Sequence, residues 1–166
     1  MKEAKLNDTS YAVLGMIALF EEVTPYDLKR FASISVGNFW TLHQSQLYGE
    51  PERLANAGFV TERREEGGRR RRLYSITKAG RAALEEWVAQ PTAAITELRD
   101  PALLRLFMGA DPSELGRLQA EAYRERLQMY EQIAQLDLPE GQRLSLEAGI
   151  SQTRGWIKYW EELAAR

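Results

Sequence analysis

Cysteine is absent from the 166 residues of this chain. Disulfides and thiolate metal sites are thereby excluded, and a reducing cytoplasm is the expected location. Histidine occurs once, at His43. One imidazole and no thiol supply neither a nucleophile–base pair nor a zinc cluster, so no enzymatic activity, cofactor or metal is expected. No apolar run approaches the roughly 20 residues that cross a bilayer. The start, MKEAKLNDTS, lacks the apolar core of a signal peptide. Excess charge is missing too: 22 Lys and Arg stand against 24 Asp and Glu, a net of −2. Taken over the whole chain, that balance argues against a polyanionic partner.

The distribution of charge reverses that inference. Between Arg63 and Arg81, eight basic residues face two acidic ones. Most of this segment lies in the stretch FVTERREEGGRRRRLYSIT, from Phe59 to Thr77. Phe59-Val60 and Leu73-Tyr74-Ser75-Ile76 have strand character, and Gly67-Gly68 suits a hairpin tip, where positive φ is needed. The second strand is expected to start with four arginines, Arg69 to Arg72. Alternation puts Tyr74 and Ile76 on an inner face and crowds the arginines at the tip. Burying four guanidiniums would be very costly, so the tip stands in solvent or against a polyanion. A basic hairpin directly after a helix reads as the wing of a winged helix; the plainer alternative is a solubilised tip.

The preceding helices agree. Thr9 or Ser10 is the expected cap of a first helix, Tyr11 to Phe20, apolar all round. Thr24-Pro25-Tyr26-Asp27 starts a second, with cap, proline and answering acid in order. Leu28, Phe31 and Ala32 face inward there, Lys29 and Arg30 outward. Ser33 to Phe39 is a turn broken at Gly37. A third helix runs from Gln44 to Ala57 and stops at Gly58. Leu47, Pro51 and Leu54 share one face; Ser45, Gly49, Glu52, Arg53 and Asn56 lie opposite, with Gln46 and Tyr48 on the flanks. Pro51 should kink it. His43, at its start, suits a cap or a phosphate contact. Helix, helix, turn, helix, hairpin is the order of a winged helix-turn-helix, whose third helix enters the major groove. Thr77 caps a fourth helix, Lys78 to Gln90.

Pro91 to Arg99 reads as a joint between domains 1–90 and 91–166. Beyond it come a short helix, Ala102 to Met108, and a long one from Asp111-Pro112-Ser113-Glu114 to Leu136. Leu115, Leu118, Ala122, Tyr130 and Ile133 form its expected inward stripe. A last helix, Gln142 to Ala165, carries Leu146, Ile150, Thr153, Ile157 and Trp160 at spacings of four, three, four and three, close to a heptad seam. Such a seam suggests pairing with a second copy. The tryptophans are expected in cores; alternatively Trp40, Trp87, Trp156 or Trp160 lines a pocket for a flat aromatic ligand.

One family shares this arrangement. Tyr11-Ala-Val-Leu-Gly, Thr24-Pro25-Tyr26-Asp27-Leu28, Phe39-Trp40, Ser45-Gln46-Leu47-Tyr48, Arg53-Leu54, Ala57-Gly58-Phe59-Val60, Gly67-Gly68-Arg69-Arg70, Tyr74-Ser75-Ile76-Thr77 and Gly80-Arg81 follow in an order and spacing that resemble the PadR family of transcriptional regulators. The later helices resemble the virulence-activator-type region that follows in that family. The resemblance implies a mainly α fold with a small β-hairpin: a winged helix-turn-helix domain plus a C-terminal helical dimerisation domain. It implies a homodimer on a pseudo-palindromic double-stranded DNA operator, usually as a repressor, with an aromatic small molecule as candidate effector. It places DNA contacts on Ser45, Gln46, Tyr48 and the wing arginines Arg69, Arg70, Arg71 and Arg72. Lys29, His43, Arg53 and Lys78 join them as candidates on the same domain. Expected dimer contacts are Leu118, Tyr130, Ile133, Leu146, Ile150, Ile157 and Trp160. The alternative is a winged-helix protein-interaction module without DNA binding, which has little need of four arginines at its tip.

Overall fold

The first helix begins at an asparagine. Asn7 caps α1 (Asp8–Ala18) in a reciprocal box: its Oδ1 accepts from the Ser10 N–H at 2.9 Å, and its own N–H donates to Ser10 Oγ at 3.0 Å. The cap expected at Thr9 or Ser10 is thus displaced, and Ser10 becomes the answering residue of the box. The protein is described, in a computed structural model, over residues 5–66 and 70–166. Gly67 and Gly68, expected at the hairpin tip, and Arg69 lie outside the described residues. Two compact units are present, Met1–Ala94 and Ile95–Arg166.

In the first unit α2 (Pro25–Ile34) has the expected Thr24 cap, Pro25 start and Asp27 answer. A 3-10 turn (Val36–Asn38) follows, in which a Cβ on Gly37 would lie 2.5 Å from the Ala32 carbonyl oxygen. α3 (Gln44–Asn56) runs unbroken through Pro51. The pyrrolidine ring is buried with Leu47 and Leu54 on the inward stripe, which offsets the lost backbone bond. β1 (Val60–Arg64) pairs antiparallel with β2 (Arg72–Ile76), setting Val60 opposite Ile76, Glu62 opposite Tyr74 and Arg64 opposite Arg72. Val23 adds a third rung: its N–H and C=O bond to the Tyr74 backbone at 3.0 and 2.9 Å. The second strand therefore begins at Arg72, not Arg69. Arg70, at φ +45°, and Arg71 belong to the connecting loop. α4 (Lys78–Val88) starts on the expected Thr77 cap.

The core of this unit joins all of these elements. Val13, Leu14 and Ile17 of α1, Leu28 of α2, Leu54 of α3 and Tyr74 of β2 are fully enclosed. Gly80 brings α4 against the strand: a Cβ there would lie 2.1 Å from the Phe59 carbonyl oxygen. The expectation that the tryptophans are core fails for Trp40 and Trp87, which are 38% and 36% exposed; Trp87 stacks on Tyr11 at 4.8 Å.

The second unit holds α5 (Pro101–Phe107), α6 (Pro112–Ile133) and α7 (Glu140–Ala164), with Asp100 and Asp111 as caps. α6 and α7 run antiparallel at close range. A Cβ on Gly116 would sit 2.7 Å from the Trp160 oxygen and the Ala164 nitrogen, and one on Gly149 would sit 3.2 Å from the Tyr130 ring. Ala102, Ala120, Trp160 and Leu163 form the core, with Tyr123 and Trp156 against it. The stripe expected on α6 is corrected: Leu118 is 47% exposed and Ala122 is exposed, while Gly116, Ala120 and Tyr130 are buried. At Gly116 the α7 backbone lies too close for any side chain, while Leu115 packs against the core and the Tyr130 ring fills the space beside Gly149.

Trp160 and Tyr130, expected at a dimer contact, are enclosed within their own unit at 0% and 6% exposure. Leu146, Ile150, Ile157 and Ile133 are half-buried. Trp160→Ala should accordingly lower the stability of the protomer by about 3–5 kcal/mol, the range for deleting a large core side chain. Urea unfolding should show the same shift at low and high protein concentration. A shift seen only on dilution would return the indole to an interface between copies.

Candidate nucleic-acid interface

α3 is held by one narrow stripe, Leu47, Pro51 and Leu54, so the rest of its N-terminal half points outward. His43, Gln44 and Ser45 are exposed, and Tyr48 is 44% exposed. Lys29 of α2 donates to Gln44 Oε1 at 3.1 Å, which sets a cation beside the helix start. Free backbone N–H groups there add partial positive charge. Gln46 is half-buried, and its Oε1 accepts from the His43 N–H at 2.8 Å. Its side chain closes the helix end, leaving the amide NH₂ as the group it can offer outward.

The wing stands on the same unit. Arg63, Arg64, Arg71 and Arg72 are matched by carboxylates, a pairing that the sequence reading missed. Arg63 makes a two-point pair with Glu22 (2.9 and 2.5 Å), and Arg71 one with Glu65 (3.0 and 2.9 Å). Arg64 reaches Glu62 at 3.2 Å. Arg70 is exposed and borders a shallow cavity with Arg64, Glu65, Glu66 and Arg72. Exposed pairs of this kind are worth about 0–1 kcal/mol, so a phosphate can take the place of the carboxylate on Arg63, Arg64 or Arg71. Charge of both signs between Arg63 and Arg72 was the available signal, but a linear reading cannot say which acid folds back on which base.

Two candidates are placed differently. Arg53 lies bidentate on Glu50, with Nε at 3.0 and 3.1 Å from its oxygens, and its Nη2 reaches Ser10 Oγ at 2.5 Å. It fastens α3 to the cap of α1, and 41% of its side chain stays exposed. Arg72 bonds Glu52 of α3 at 2.8 Å and lies 3.6 Å from Glu62 across the hairpin. Lys78 is exposed at the first turn of α4.

Four of these carboxyls are held below the usual range: Glu22 and Glu65 by the hydrogen bonds of Arg63 and Arg71, and Glu50 and Glu62 in spite of their burial. Burial pushes Glu50 up, but hydrogen bonds from Arg53 and Ser10 and the charge of Arg53 outweigh it and hold Glu50 below the usual range. Glu62 follows the same pattern: burial opposes, and the hydrogen bonds from Arg64 and Tyr74 with the charges of Arg72 and Arg64 prevail. Among the described residues no group of three or more His, Asp or Glu is placed to hold a metal, and no helix is long and apolar enough to cross a membrane.

Comparison with known proteins bears on both units. Residues 13–86 match the model of the transcriptional regulator PadR-like family, and residues 98–166 match that of the virulence activator alpha C-term. The negative transcriptional regulator PadR of Bacillus subtilis is 27% identical over 99 residues, 58% of this chain and 54% of that protein. The chain spans about half the length of the curated relatives it matches. Bacillus subtilis PadR in complex with operator DNA superposes with a TM-score of 0.81 at 22% identity, over 96% of this chain and 98% of that one. The same protein in complex with p-coumaric acid gives 0.72 at 21%, over 97% of each chain. At those identities the likeness is one of fold. The Vibrio cholerae virulence activator AphA gives 0.66 at 28%, over 95% of this chain and 96% of that one.

The electrostatics of α3 can be read in acid. A carboxyl lowered in the folded state adds stability that is complete above its unfolded value, about 4.3 for glutamate, and is lost as pH falls through the lower folded value. Glu50→Gln should therefore be less stable than wild type at pH 7 and lose less on acidification below about pH 4. Thermal melting from neutral to acid pH measures this; parallel profiles for the two proteins would remove Glu50 from the account.

Proposed function

The chain belongs to the PadR-like family of transcriptional regulators, and we propose that it is a sequence-specific DNA-binding repressor, acting in the cytoplasm as a homodimer and relieved by an aromatic small molecule. The observation that carries this reading is the exposed, polar start of α3 standing on the same unit as an arginine-bearing wing. Ser45 and the Gln46 amide NH₂ address base edges in the major groove, and Tyr48 a phosphate. Arg71 exchanges its partner Glu65 for a backbone phosphate, and Arg69 and Arg70 bind phosphates beside it. Lys29, His43 and Lys78 add phosphate contacts around them. Residues 1–90 serve DNA binding and residues 91–166 dimerisation. A dimer sets two recognition helices about 34 Å apart, one turn of the duplex.

Dimer contacts fall on what the helical unit leaves uncovered: Leu118, with Ile133, Leu146, Ile150 and Ile157 at their exposed edges. Sedimentation equilibrium should give twice the chain mass of 19.0 kDa; a single species at the chain mass would rule out a two-half-site operator. The chemistry is binding rather than catalysis, so no enzymatic turnover is assigned. The p-coumaric acid complex of the Bacillus subtilis protein supports an aromatic effector here.

The decisive experiment is footprinting on DNA upstream of the gene encoding this chain. Protection of two half-sites is expected; no protection on any duplex would turn the assignment toward a protein-interaction module. Replacing Arg70 and Arg71 together by Ala should weaken binding to all duplexes alike and flatten the salt dependence by about one slope unit per lost contact. An unchanged slope would show that neither residue meets a phosphate.

A further inference from the structure

Arg72 stands apart from Arg70 and Arg71, which lie in the loop, by its place on the sheet. In an antiparallel ladder, residues two apart on a strand and residues directly opposite share a side of the sheet. Arg72, Tyr74 and Ile76 therefore lie on one side, together with Arg64, Glu62 and Val60. That side is the buried one: Tyr74 is fully enclosed and Val60 is 2% exposed. Arg72 is the last residue of the inner row, where the row passes the outer turns of α3. Its Nη1 meets Glu52 Oε2 at 2.8 Å, and its Nε lies 3.6 Å from Glu62 Oε1. Glu62 is held in turn by the Tyr74 hydroxyl, which donates to its Oε2 at 3.1 Å. The Glu62 side chain is only 21% exposed, so its position follows the core rather than solvent. A chain of polar contacts thus runs from the core tyrosine to Glu52 on α3: a hydrogen bond from Tyr74 to Glu62, an ion pair from Glu62 to Arg72 at 3.6 Å, and a hydrogen bond from Arg72 to Glu52.

Taking the DNA-binding reading as its basis, we infer that Arg72 is a positioning residue: bridging Glu52 and Glu62, it sets the wing at a fixed distance from the recognition helix, and does not itself contact phosphate. A duplex presents groove and backbone in rigid register. Two reading elements add their contacts only if their separation matches that register before binding. The guanidinium suits this task because it offers donors in a planar fork to two acceptors at once, which an ammonium on a flexible stem does not reproduce. Glu52, on the face of α3 away from the core, would repel phosphate if it were free; bonded to Arg72 it is part of the brace.

The test turns on signs. Arg72→Lys keeps the charge and Glu52→Gln removes an opposite one, so a phosphate contact and a brace predict different outcomes. A duplex is first enriched from a random library by the wild-type protein. Affinities for that duplex and for an unselected one are then measured over a range of salt, with melting temperatures recorded for each variant. The brace predicts that both substitutions lower the ratio of selected to unselected affinity by about tenfold, with the salt slope unchanged. It is overturned if Arg72→Lys binds as wild type, or if Glu52→Gln tightens binding to both duplexes and Arg72→Ala lowers the slope by about one. A wild-type protein that enriches no duplex overturns the DNA-binding reading and this inference with it. A wild type that selects its duplex, with both variants unaffected, overturns the inference alone.

Discussion

The winged unit depends on the placement of Tyr74. Its ring is fully enclosed, its backbone N–H and C=O are both bonded to Val23, and its hydroxyl donates to Glu62. A buried tyrosine with an unpaired hydroxyl would be costly, as would unpaired backbone groups beside it. These demands are met in one register only. A slip of one residue would turn every side chain of β2 to the other face, exposing Tyr74 and burying Leu73 and Ser75. Because Tyr74 cannot move, Glu62 lies opposite it, Arg72 lies two residues before it on the same face, and Arg70 and Arg71 are left to the loop. The position of the wing's charges is thus a consequence of core packing.

That dependence accounts for how much was legible beforehand. Local signals read correctly except at α1, whose cap is Asn7 rather than Thr9 or Ser10. Thr24-Pro25-Asp27 and Thr77 act where expected, since a cap is satisfied by donors within three residues and needs nothing else from the fold. Leu47, Pro51 and Leu54 likewise declare their face by spacing alone. The other failures are long-range. Val23 sits between a helix end and a cap and has no strand pattern of its own; only the free backbone of Tyr74 gives it a partner. Arg53 and Arg72 look like their exposed neighbours until Ser10, Glu50, Glu52 and Glu62 are brought beside them from other elements or other turns.

The arginines make the general case. Arg53, Arg70, Arg71 and Arg72 carry the same charge and were one class in the sequence. The fold divides them by what lies within reach. Arg53 is a fastening between two helices, Arg71 is loosely chelated by a neighbouring acid in solvent, and Arg70 stands exposed in a left-handed loop position. Arg72 ends a buried row. Carboxylates accompany nearly all of these charges, which is also why a strongly basic segment sits in a chain of net charge −2. An acid in the wing does not oppose anion binding outright: while no anion is bound it holds the guanidinium in place, and an exposed pair is weak enough to exchange.

The same limit governs the helical unit. Spacings of four and three on α7 were read as a seam toward a second copy, yet an antiparallel neighbour in the same chain demands an identical pattern. Periodicity reports that a face is covered, not by whom. What tells the two apart is residue size. Where α6 and α7 touch, Gly116 and Gly149 admit the partner backbone and the Tyr130 ring, and Ala120 lies among them. These positions break the apolar stripe in a hydropathy reading, so the true inner face of α6 looked weaker than the face bearing Leu118. Leucine 118, at 47% exposure, is too large for the close contact and is excluded from it. Leu118 and the exposed edges of Leu146, Ile150 and Ile157, rather than the enclosed Trp160, are what a second copy would cover.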